Sequence, residues 1–141
     1  MFKKIKLQYI FSYLGIVPYI LVLLDKYIFL QLEEEIIFDF IIYYTLTICV
    51  FIGAINWDLQ KEIPRYKVIY GFLPSLYTVI IIILNLYSYN IKILFFLLIL
   101  LLIIQLFFDY FLNFNNSINS QPFFFLRIPL TIFIILTLLL L

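Results

Sequence analysis

The chain has 141 residues, of which 67% are hydrophobic and 12% charged, with a net charge of +1 and a mean hydropathy of +1.19. A soluble domain carries about a quarter charged residues and could not hide this apolar excess in a small core, so lipid is the expected solvent for most of the chain. The near-zero net charge gives no ground for nucleic-acid binding, and one cysteine with no histidine excludes an intrachain disulfide, a thiolate metal cluster and the usual haem and zinc ligands, so no cofactor is expected.

About 20 apolar residues cross a bilayer, and five segments meet that length. The first covers residues 8–30. Its basic leader, Met1-Phe-Lys-Lys-Ile-Lys6, imitates a signal peptide, but the apolar stretch reaches Leu24 without a small-x-small cleavage site. It is therefore read as an uncleaved span, its core shortened by Asp25-Lys26. A Gln31-Leu-Glu-Glu-Glu35 turn leads to the second span, residues 36–57. The polar stretch 58–67 leads to the third, residues 68–87. Tyr87-Ser-Tyr-Asn90 is so tight that the fourth span, residues 91–112, must return antiparallel. An Asn/Ser loop precedes the fifth span, residues 122–141, with Pro122 suited to its first turn.

The positive-inside bias orients these spans. With the N-terminus inside, Lys3, Lys4, Lys6, Lys61, Arg65, Lys67 and Arg127 fall on the inner side, and only Lys26 and Lys92 on the outer. The expected fold is one all-α domain over residues 1–141, a five-helix transmembrane bundle with the C-terminus outside. Abundant Phe, Ile, Asn and Lys beside a single alanine, Ala54, suggest an AT-rich genome. The bacterial inner membrane is the expected location, with the mitochondrial inner membrane as the alternative.

Antiparallel packing brings the intramembrane polar residues towards the inner ends of spans two to five. They form a candidate cluster of Asn56, Asp58, Ser75, Gln105, Asp109, Arg127 and Thr131. Gln105 and Asp109 share one helix face by their spacing of four, as do Arg127 and Thr131. An ionised group is expensive in lipid, so Asp109 and Arg127 are expected to face each other. Arg127 is also placed to donate to Gln105 or Asn56. Such a pair fixes helix register, or forms an ion or ligand site, or gives way to a lipid contact of the arginine. Pro18, Pro74 and Pro129 each remove a helical hydrogen bond inside a span, either as tolerated prolines or as the kinks from which transporters build sites. Gly15 with Pro18, and Gly53 with Ala54 and Asn56, are expected at close helix crossings. Trp57 reads as an interfacial anchor, and Cys49 as inert packing.

Five strings in order cover nearly the whole chain: Tyr13-Leu-Gly-Ile-Val-Pro18-Tyr, Gly53-Ala-Ile-Asn-Trp57, Gly71-Phe-Leu-Pro74-Ser75-Leu, Leu102-Ile-Ile-Gln105-Leu-Phe-Phe-Asp109 and Leu126-Arg127-Ile-Pro129-Leu130-Thr131. This pattern resembles the transmembrane protein 69-like family, a bacterial and mitochondrial membrane group with no assigned activity. The resemblance implies a multi-pass bundle but no reaction, substrate or cofactor. Members of that family tend to carry histidine before the tryptophan, where this chain has Asn56. Asparagine keeps the hydrogen bond and loses the charge switch, which weakens a proton-relay role.

Three functions are compatible with these residues. The first is an accessory subunit or assembly protein of a larger membrane complex, whose partners are the lipid bilayer and other membrane subunits or a second copy. The second is a small homo-oligomeric transporter or channel built around Asn56, Gln105, Asp109 and Arg127. An intramembrane enzyme ranks last, because no nucleophile–base pair or metal-ligand set accompanies Asp109; the chain is expected not to be an enzyme.

Overall fold

The structure, a computed structural model, describes residues 9–57, 62–114 and 123–141. Regular structure among the described residues is entirely helical. Five helices are each long and apolar enough to cross a membrane: α1 (Tyr9–Phe29), α2 (Glu34–Ala54), α3 (Arg65–Leu86), α4 (Ile91–Leu112) and α5 (Phe123–Leu140).

The punctuation of these helices follows from named residues. Asp25 does not break α1. The helix widens into a π turn over Asp25–Phe29 and stops at Leu30, whose left-handed φ of 51° a leucine rarely adopts. Asp25 holds that stop, its carbonyl accepting from Leu30 N at 2.7 Å and its carboxylate from Leu32 N at 3.0 Å. The residue that looked like an interruption is thus the fastening of the α1–α2 turn. Glu34 and Glu35 join the first turn of α2, where carboxylates favour the positive end of the helix dipole. The α3–α4 turn is a Schellman ending, with Ser88 left-handed at φ 52°, Ser88 N bonded to Asn85 O at 2.9 Å and Tyr89 N to Leu84 O at 3.1 Å. Asn90 then caps α4, its side chain accepting from Lys92 N at 2.9 Å. Four residues suffice to reverse the chain.

Helix α2 is the axis of the bundle, packing most extensively on α3 and then on α4. It buries Ile37, Ile41, Ile42, Thr45, Leu46, Cys49, Ile52 and Gly53, a stripe at helical spacing. Facing it, α4 buries Leu94, Leu98, Leu101 and Leu102, and the same stripe ends in Gln105 and Asp109. Helices α1 and α3 are peripheral and turn most of their large apolar side chains outwards.

The three prolines differ in setting. Pro18 follows a turn at Gly15-Ile16, at the start of a fresh α segment, and Pro129 likewise starts an α segment after the π turn Phe123–Arg127. Only Pro74 lies well inside a continuous α-helix. Pro129 has no N–H to offer the carbonyl four residues back, that of Phe125, and the Tyr13 hydroxyl of α1 donates to this same carbonyl. Near Pro18, Tyr44 of α2 donates to Gly15 O at 3.0 Å. Neighbouring helices thus supply donors at these interruptions, where backbone carbonyls lack their own helical partners.

Candidate functional site

The ends of α2 and α4 and the starts of α1, α3 and α5 meet at one end of the bundle. Asp109 sits in the last α turn of α4, and Arg127 in the first turns of α5. They form an ion pair, Arg127 Nη2 to Asp109 Oδ2, with side chains only 18% and 5% exposed. The pairing expected from the cost of intramembrane charge is present.

A third helix completes the pair. Tyr70 of α3 is buried, and its hydroxyl lies 3.1 Å from Asp109 Oδ1 and 3.0 Å from Gln105 O, sharing one proton between two acceptors. Its ring tilts against Phe108 at 5.2 Å between centroids. The other carboxylate oxygen thus has its own partner. Charge-assisted hydrogen bonds of this kind are the stronger ones, so the pair is held from both sides.

Gln105 turns away from Arg127. Its Nε2 donates to Cys49 O at 2.8 Å, bridging α4 to α2, while Oε1 is buried with no hydrogen-bond partner among the described residues. The expected donation from Arg127 to the Gln105 side chain is not made: the amide is oriented by its bond to Cys49 O, and Oε1, the one atom that could accept, is left without a partner among the described residues. Asn56 is buried just beyond α2, with Nδ2 3.3 Å from Ile52 O and 3.4 Å from Gly53 O. Its local role is to bond the last carbonyls of its own helix. Ser75 is half-buried on α3, with no hydrogen bond to the pair among the described residues. Thr131 is buried one turn after Arg127 and lines a cavity beside it. Asp58, the remaining member of the expected cluster, lies outside the described residues.

The close crossing expected at Gly53 has Gly71 of α3 opposite it. A Cβ on Gly53 would meet Gly71 O at 2.6 Å and Pro74 Cγ at 3.0 Å; one on Gly71 would meet Trp57 Nε1 at 2.3 Å. Neither position has room for a side chain, so the α2 and α3 backbones touch here. Trp57, 44% exposed, caps the crossing and donates from Nε1 to Val68 O at 3.2 Å. At Gly15 a Cβ would be 3.2 Å from Ser12 O within its own helix, so that glycine marks the turn in α1 more than a crossing.

Sequence reasoning missed the tyrosines whose hydroxyls bond between helices. Tyr70 anchors the pair, Tyr13 takes the carbonyl behind Pro129, and Tyr19, fully buried, meets Thr45 Oγ1 at 2.9 Å. The available signal for Tyr70 was its position one turn before Pro74 and beside Gly71. Among the described residues no group of three His, Cys, Asp or Glu side chains is placed to hold a metal ion.

In comparisons with known proteins, no family model, no curated protein and no solved structure matches this chain.

Proposed function

We propose that the chain is an integral membrane protein of the inner membrane, N-terminus inside, that serves as an accessory or assembly subunit of a larger membrane complex. The observation that carries this reading is the closure of the polar cluster. Asp109 is 3% exposed and engaged by both Arg127 and Tyr70, so the groups that would line a transport path are spent holding α3, α4 and α5 together. Exposed Phe72, Leu76, Val79, Ile80 and Ile83 give α3 a broad outward apolar face, suited to lipid or to a larger helical partner. The N-inside orientation draws its support from the basic residues, with Arg65, Lys67 and Arg127 at one end of the bundle and Lys26 and Lys92 at the other. The same reading accommodates membership of the transmembrane protein 69-like family.

Purification in a mild detergent, followed by protein identification, tests it. Stoichiometric recovery with other membrane subunits is expected, and recovery as a lone monomer or homo-oligomer would overturn it. The alternative, a small homo-oligomeric transporter, draws support from the cavity beside Arg127. It requires solute flux through reconstituted vesicles that is lost in Asp109→Asn.

A further inference from the structure

Beside the ion pair, α1, α2 and α5 enclose a cavity of about 220 Å³, with Leu102 of α4 reaching its wall. Its lining is uneven in a directional way. Arg127 stands at the bundle end, Thr131 one turn deeper on the same face of α5, and Ile134 deeper still. From Arg127 to Ile134 the helix rises by about 10 Å, at roughly 1.5 Å per residue. The remaining lining includes Ser12 and Ile16 of α1, Ile52 of α2 and Leu130 of α5. The lining therefore passes from Arg127 and Thr131 at the bundle end to apolar side chains deeper in.

Three further features narrow the occupant. A cavity of roughly 150 Å³ takes a benzene-sized molecule, so this one, mostly apolar in its lining, suits a length of acyl chain and not a whole lipid. The rim includes Phe11, Phe51 and Ile55, which are 64%, 68% and 64% exposed. Entry is thus sideways, through the apolar band. The charged end of the cavity shares its bundle end with Arg65 and Lys67, where an anionic headgroup is favoured.

We propose that this cavity binds one acyl chain of an anionic glycerophospholipid. The phosphate or ester oxygens sit at Arg127, and the methylenes run past Thr131 against Ile16, Ile52 and Leu130. A guanidinium carries five donors, and Asp109 is reached through Nη2, so the ion pair positions the arginine at the mouth. The inference rests on the bundle being embedded in a bilayer and adds a specific lipid subsite to it.

The test uses the full chain reconstituted in phosphatidylcholine vesicles containing a minor fraction of phosphatidylglycerol with a diazirine in one acyl chain. Label is mapped by mass spectrometry after illumination. Phe72 and Leu76 of α3, 47% and 48% exposed, report ordinary lipid contact. Severalfold enrichment at Ile16, Ile52 or Leu130 over those two is expected. Leu130→Trp, and independently Ser12→Phe from α1, abolish the enrichment and leave α3 labelling unchanged. Equal labelling of cavity and α3 overturns the site, as does enrichment that survives both filling variants. Enrichment displaced by free oleate but not by unlabelled phosphatidylglycerol overturns the phospholipid assignment. Absence of label from α3 and cavity alike overturns the embedding together with the site.

Discussion

The two ends of the bundle are both crossed by polar contacts, but they are made differently. The Asp109 end has exposed contacts too, from the Tyr13 hydroxyl and the Trp57 indole, but it also holds a buried set: the carboxylate to Arg127 and Tyr70, and the Gln105 amide to the Cys49 carbonyl of α2. At the opposite end they lie on exposed or half-buried groups. Tyr27 donates to Leu140 O at 2.6 Å, Lys26 to Leu141 O at 2.5 Å, and Asn85 to Asp39 Oδ1 at 2.8 Å. Lys26 also stands 5.3 Å from the centre of the Phe38 ring. A buried group that loses its partner has nothing to replace it, whereas an exposed one turns to water or headgroups. The polar contacts of one end therefore specify the packing, and those of the other accompany it.

The sharpest way to break this comparison is to orphan one charge. Asp109→Leu leaves Arg127 unpaired and is expected to cost about 3–5 kcal/mol, the range for a broken buried pair. Asp109→Leu/Arg127→Leu is expected to cost distinctly less, read from denaturant unfolding in micelles. Equal losses in the single and double variants would mean that the two residues do not couple.

Next comes the backbone crossing at the same end. Gly53→Ala forces a methyl group against Gly71 O and the Pro74 ring. Backbone cannot swing aside as a side chain can, so a loss of about 1–3 kcal/mol is expected. An unchanged unfolding midpoint would show that α2 and α3 separate without penalty. Smaller again is Tyr70→Phe, which removes one interhelical hydroxyl and is expected to cost about 0.6 kcal/mol, with an upper bound near 1.7. Its conservative shape leaves the ring against Phe108, so a larger loss would show that the hydroxyl organises the pair beyond its own bond.

At the other end, Tyr27→Phe and Asp39→Asn are expected to stay within about 0.5 kcal/mol of the parent, as surface changes do. A loss there matching that of Asp109→Leu would erase the distinction between the ends.

The location of the helices was legible in the chain. Each apolar run is long enough to cross a bilayer, and the four residues Tyr87–Asn90 leave α4 no course but to return along α3, whereas the Asn90 cap, the left-handed Ser88 and the place of Glu34 and Glu35 inside α2 came from the structure. The facing of Asp109 and Arg127 was legible too, since two charges four or five turns from the far ends of adjacent antiparallel helices have few alternatives to each other. Asp25 was misleading for a local reason: a carboxylate in an apolar run reads as an interruption, yet here it closes a turn.

What the sequence determined by itself was therefore the number of helices, their antiparallel order and the depth at which polar residues lie. Only the tertiary structure decided how each helix is rotated. A helix that is apolar all round has little amphipathic signal to say which face points inwards. That rotation sets Gly53 against Gly71, brings Tyr70 to Asp109 and Tyr13 to the carbonyl behind Pro129, and turns the Gln105 amide towards Cys49 instead of Arg127. It also leaves the cavity beside Arg127, a space between three helices that is written in no one of them.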